Sequence, residues 1–138
     1  MAGTTSVATT KRYREAASPA GLVEYGERIS LTWTADASDG TVPNTSVTFS
    51  GWIVRVITNP GATAPTDDYD ITVNDPDDSS FDIMGGALAD RDTANTEQVY
   101  PVISGAATPV LAMGAHTVKI SGNSVNSATG VIHFDVVY

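Results

Sequence analysis

The stretch Arg28–Asp36, RISLTWTAD, alternates apolar Ile29, Leu31, Trp33 and Ala35 with polar Ser30, Thr32, Thr34 and Asp36. A period of two puts the apolar set on one face of a pleated strand and the polar set on the other, so the segment reads as a half-buried β-strand. The same period returns at Tyr69, Ile71 and Val73 and at His116, Val118 and Ile120. Val131–Tyr138 repeats it, with Ile132, Phe134, Val136 and Tyr138 on the greasier face and Val131, His133, Asp135 and Val137 on the other. Gly51–Thr58, GWIVRVIT, is apolar on both parities except at Arg55, which predicts a central strand covered on both faces. Strands are thus expected near 29–36, 45–50, 51–58, 69–74, 116–121 and 131–138.

Turn chemistry separates them: Asp39-Gly40, Asn59-Pro60-Gly61, Asn74-Asp75-Pro76-Asp77, Gly85-Gly86 and Gly122-Asn123 break the chain. Gly86–Gln98 has a single large apolar residue, Leu88, and no amphipathic face, so it reads as a long loop. No internal repeat is visible, which removes solenoids and propellers. Short strands with polar turns imply an all-β fold, and we expect a single-domain antiparallel β-sandwich, Ig-like or jelly-roll-like, over residues 21–138. Residues 1–20 are expected to form an extended N-terminal arm, because a Thr/Ser/Ala-rich tail lacks the apolar area to fold alone.

The 138 residues suffice for one core, and no cysteine is present, which removes disulfides, thiolate nucleophiles and Cys-type zinc sites. His116 and His133 are the only histidines, too few for a His₃ metal centre. Sixteen acidic against seven basic residues give a net charge of −9, so neither nucleic acid nor an anionic membrane is an expected partner. The opening residues hold no apolar run of signal-peptide length, and the chain is expected to be soluble and made in the cytoplasm. The charge is uneven, since residues 61–138 carry eleven acids and two bases while residues 1–60 carry five of each.

Catalytic motifs are absent: no G-x-S-x-G, S-x-x-K, G-x-x-x-x-G-K or G-x-G-x-x-G occurs. No enzymatic activity and no cofactor are therefore expected. His133 and Asp135 offer an acid/base pair, whose plain reading is two solvated neighbours on one strand face. Asp75–Asp82 resembles a calcium loop only in part, because Ser80 stands where the turn glycine belongs and Gly86 where the bidentate glutamate belongs. A solvated turn is the better reading; a different calcium site drawing on Asp67, Asp68 or Asp70 stays open.

Five residues are singled out for partner binding: Lys11, Arg12, Tyr13, Arg14 and Arg55. The Lys11–Arg14 knot reads either as a solvated edge strand or frayed terminus, or as the docking element of the arm on an acidic partner surface. Arg55, a lone cation in an apolar strand, must pair with a carboxylate or reach a surface, and with Trp52 beside it an interface is the sharper alternative.

Three stretches, Asn59–Asp78, Gly85–Pro101 and Gly122–Tyr138, resemble small β-rich virion proteins encoded among the head and tail genes of tailed bacteriophages. The resemblance implies a non-enzymatic structural protein of the virion, displayed in many copies as a homo-oligomer. Its partners would be the major capsid protein or other virion proteins, and capsid decoration (cement) is the leading role. A tail, adaptor or fibre-associated component is the alternative. A carbohydrate-binding β-sandwich is another, for which Tyr13, Tyr25, Tyr69 and Tyr100 are the candidate stacking residues, Trp33 and Trp52 both being expected inside.

Overall fold

A computed structural model describes residues 1–17 and 21–138. Its strands in chain order are β1 (Thr4–Ala17), β2 (Gly21–Thr34), β3 (Thr45–Pro60), β4 (Asp70–Asn74), β5 (Glu97–Val99), β6 (Val102–Ile103), β7 (Ala106–Ala107), β8 (Val110–Ser121) and β9 (Thr129–Val137). The described residues contain no helix, and every strand pair is antiparallel. The all-β antiparallel architecture is therefore as expected. The main sheet runs β1-β2-β9-β3-β8-β4, with β5 beside β3, while β6 and β7 form a separate short ribbon.

The core follows the period of two. Ile29, Leu31, Trp33 and Ala35 are all buried, as are Ile132, Phe134 and Val136 of β9 and Ile71 and Val73 of β4. Along β3 the buried positions are Val47, Phe49, Ile53 and Val56. Val56 lies opposite Phe134 in the ladder, and Phe49 is seven residues earlier, roughly 23 Å along a straight strand. Yet the Phe49 and Phe134 rings meet edge to face at 5.1 Å. β3 must therefore fold over, and it does so where its partner changes: residues 45–53 pair with β8 and residues 52–60 with β9. Trp33 of β2 likewise reaches Tyr69, just ahead of β4, at 5.9 Å. This packing is consistent with a sandwich whose two leaves are continuous through β3.

Two expectations change. Residues 45–50 and 51–58 form one strand, and GWIVRVIT is not covered on both faces. A bulge at Val54 shifts the register, so that Ile53 pairs with Val136 but Arg55 with Asp135. The shift lets Ile53 and Val56 both point inward while Trp52 and Arg55 turn outward, so a run that reads as continuous grease is two alternating segments spliced out of phase. The second change concerns the arm. Thr4–Ala17 is extended as expected, but its backbone pairs with β2 of the same chain, from Thr4 opposite Thr34 to Ala17 opposite Gly21. Its extended backbone is thus one arm of a hairpin within the chain. Residues 18–20 of the expected arm lie outside the described residues. Gly86–Gln98 is turns and irregular backbone, as read from its composition, except where its last two residues enter β5.

Gly130 of β9, directly opposite Trp33 of β2, shows how closely these two neighbouring strands pack. A Cβ there would stand 2.7 Å from the Trp33 ring, so Gly130→Ala must displace a fully buried indole. The expected cost is about 1–3 kcal/mol in the urea unfolding free energy. Gly86→Ala, at a positive φ with open space around it, should cost only about 1 kcal/mol. An unchanged unfolding free energy for Gly130→Ala would contradict the close packing of Trp33.

Candidate functional site

β9 alternates inward Phe134 and Val136 with outward residues, and the ladder sets Asp135 between Arg28 of β2 and Arg55 of β3. Register alone thus brings two guanidiniums to one carboxylate. Arg28 donates from Nε to Oδ1 at 2.7 Å and from a terminal nitrogen to Oδ2 at 3.0 Å. Arg55 Nε donates to Oδ2 at 2.7 Å, and the Tyr13 hydroxyl donates to Oδ1 at 3.1 Å. Asp135 is only 4% exposed. Burial pushes its carboxyl up, but the hydrogen bonds from Arg28 and Arg55 outweigh it and hold the group at about 2. A carboxylate with four donors around it, ionised at any ordinary pH, is spent as a general base. Its role is to tie β1, β2 and β3 to β9.

Three single-residue bulges surround this hub: the register steps over Thr10 in β1, Tyr25 in β2 and Val54 in β3. Each re-aims the side chains next to it. The Val54 bulge turns Arg55 to Asp135. The Tyr25 bulge puts Tyr25 on the same side as Tyr13, and the two rings stack at 6.2 Å with 25° between their planes. The Thr10 bulge lets the Thr10 and Ser30 hydroxyls share a hydrogen bond of 2.7 Å, and Ser30 in turn bonds His133 Nδ1 at 2.7 Å. Burial first, then the neighbouring Arg28, lowers the pKa of His133 and favours its neutral form.

A cleft of about 420 Å³ opens beside the hub, walled by Tyr13, Tyr25, Arg55, Tyr100 and Val137. Arg55 is 40% exposed there, and its Nη1 also donates to Gln98 Oε1 at 3.3 Å. Of the five residues singled out from sequence, the structure brings Tyr13 and Arg55 together on this cleft. Arg12 and Arg14 have the opposite parity on β1 and engage Glu24 at 2.8 and 3.6 Å, which also accepts from the Tyr138 hydroxyl at 2.7 Å. Lys11 shares the parity of Tyr13 and lies opposite Arg28. The Lys11–Arg14 knot therefore sits on an edge strand, the plainer of its two readings, with both arginines paired inside the chain.

The stacking candidates divide. Tyr13, Tyr25 and Tyr100 border one cleft, whereas Tyr69 is buried and burial drives its hydroxyl up to about 12. Trp52, expected inside, is 45% exposed. It lies in a cross-sheet row with Val137 of β9 and Leu111 of β8, and Met113, 59% exposed, stands beyond it. This outward apolar face was hidden in the sequence by the bulge, because unbroken alternation cannot place Trp52 and Arg55 on one side. His133 and Asp135 do not form an acid/base couple: each is held by other partners, Ser30 for one and two arginines for the other.

The aspartate-rich segment is a run of turns. Asp75 accepts from the backbone amides of Asp77 and Asp78, Asp78 from the amide and hydroxyl of Ser80, and Asp82 from the amides of Val73, Met84 and Gly86. Among the described residues no three acids or histidines converge as a metal site requires. No protein family, curated protein or solved structure matches this chain.

Asp135 makes stability depend on acid in a definite direction. Its carboxyl titrates at about 2 in the folded chain against an ordinary 3.8, so its contribution is complete above roughly pH 4–5 and is lost as the pH falls toward 2. Asp135→Asn leaves Arg28 without its countercharge and should cost about 3 kcal/mol at neutral pH. The variant should also lose stability less steeply than the parent between about pH 5 and pH 2.5 in urea titrations. Parallel slopes for the two proteins would show that Asp135 is not the titrating link.

Proposed function

We propose that the protein is a non-enzymatic structural component of a virion, a capsid decoration protein that works by association. The observation that carries the associative part is the outward face of Trp52, Leu111 and Met113 beside a charge cluster whose carboxylate is fully occupied. Aromatic residues, methionine and arginine are enriched at protein interfaces, and tryptophan and arginine recur among the residues that carry most of the binding energy. The virion setting is supported by the likeness of Asn59–Asp78, Gly85–Pro101 and Gly122–Tyr138 to small virion proteins. In this reading the face docks on the major capsid lattice. Repetition of the lattice turns a weak single contact into stable occupancy through effective concentration.

Co-sedimentation with purified empty capsids tests it. The parent protein should pellet with capsids, and the double variant Leu111→Glu, Met113→Glu should stay in solution with an unchanged thermal midpoint, because both side chains are already exposed. Mass spectrometry of purified virions should find the protein in stoichiometric amounts. Recovery from infected-cell cytosol alone, or capsid binding that ignores the two glutamates, would refute the proposal.

A further inference from the structure

We infer that the cleft between Tyr13, Tyr25 and Tyr100 is a binding site for an acidic saccharide, with the Arg55 guanidinium receiving a uronate carboxylate. This inference stands apart from the virion reading and uses a different surface group.

Charge comes first. Arg28, Arg55 and Asp135 form one cluster of two cations and one anion, so a net positive charge remains. Arg28 is the more enclosed of the two and lies bidentate on Asp135, so the residual charge faces the cleft through Arg55. Only the Nε of Arg55 is given to Asp135, which leaves the terminal Nη1/Nη2 fork for an end-on approach, with Nη1 already leaning on Gln98. That fork matches the two oxygens of a carboxylate. One uncompensated positive charge matches the single carboxylate that each uronate ring carries better than the two charges of a phosphate dianion.

The walls give the rest of the ligand. Tyr13 and Tyr25 present a stacked pair of rings, and Tyr100, more than half exposed, faces the same space. Flat aromatic faces accept the C–H side of a pyranose. Phenolic hydroxyls at the rim serve its hydroxyl groups, and neither Tyr25 nor Tyr100 spends its hydroxyl on a side-chain partner among the described residues. A fatty or aryl acid would want a closed apolar pocket; this cleft is open and phenol-lined, and its size falls in the range of small-ligand sites. The net charge of −9 is screened beyond about 8 Å at physiological salt, so recognition is decided at contact by Arg55.

Saturation-transfer NMR on the full chain tests the site with trigalacturonate as probe, maltotriose as the neutral arm and acetate as the bare-carboxylate arm. Trigalacturonate at millimolar concentration should show transfer to its ring protons, and maltotriose should not. Arg55→Gln should weaken trigalacturonate at least about tenfold, and Arg55→Lys should restore only part of it. Because Arg55 also braces Asp135, Tyr100→Ala carries the test independently: it should weaken binding about tenfold with the thermal midpoint unchanged. No transfer from trigalacturonate, equal response to maltotriose, full displacement by equimolar acetate, or undiminished binding by Tyr100→Ala would each overturn the assignment.

Discussion

A single negative charge carried into the outer wall of the sheet organises the surrounding structure. A carboxylate as enclosed as Asp135 is costly to desolvate unless charged donors meet it, and the ladder supplies them from both neighbouring strands at once. Arg28, Arg55 and Tyr13 belong to three different strands, so the hub is a clamp across β1, β2, β9 and β3. Removing the carboxylate would strand a cation on each side. The arrangement gives fixed geometry more than raw stability, since a buried ion pair returns little beyond its own desolvation cost.

The bulge at Val54 is the local price of that clamp and also the origin of the surface chemistry. Strict alternation through GWIVRVIT would aim Arg55 with Ile53 into the core, an arginine among phenylalanines. One extra residue flips the parity, sends Arg55 to Asp135 and leaves Trp52 and Arg55 on the same outer side. It also falls within the stretch where β3 changes partner from β8 to β9 and bends enough for Phe49 to reach Phe134. The bulge thus accounts for the charged cleft, while Trp52 keeps the regular alternation of residues 45–53.

This explains what could and could not be read from the residues. Arg28–Asp36, Tyr69–Asn74, His116–Ser121 and Val131–Tyr138 declared themselves as strands because burial of one face imposes a period that no other structure shares. Arg55 was legible as a residue needing a partner, since a cation in an apolar run must be paired or reach a surface, and Tyr13 was legible only as part of the basic knot. Their common partner was not legible, because Asp135 lies eighty residues beyond Arg55 and only the register unites them. The Trp52 row was lost for the same reason. A one-residue shift leaves no mark on composition, yet it exchanges the two faces of a strand. The N-terminal segment misled differently: Thr5, Val7 and Thr9 share a sheet face with Trp33, Leu31 and Ile29 but bring little apolar area, Val7 and Thr9 stay exposed, and backbone pairing with β2 supplies the order of the segment.

That pairing leaves β1 as the end strand of the sheet, with its outer edge unpaired along Thr4–Ala17 among the described residues. Such an edge is a template for another strand. Adding a second copy of β1 antiparallel and centred on Tyr13 sets Arg12 against Arg14, and centring it on Arg12 sets that residue against itself. Like charges directly opposite across strands are destabilising, so the register centred on Arg12 is disfavoured, while the one centred on Tyr13 sets the repulsion of Arg12 and Arg14 against the attraction of Lys11 and Glu15. Within the chain, Glu24 holds Arg12 and Arg14 in place along this edge. The face of the sheet differs from this charged edge, because its exposed Trp52, Leu111 and Met113 carry no charge of either sign.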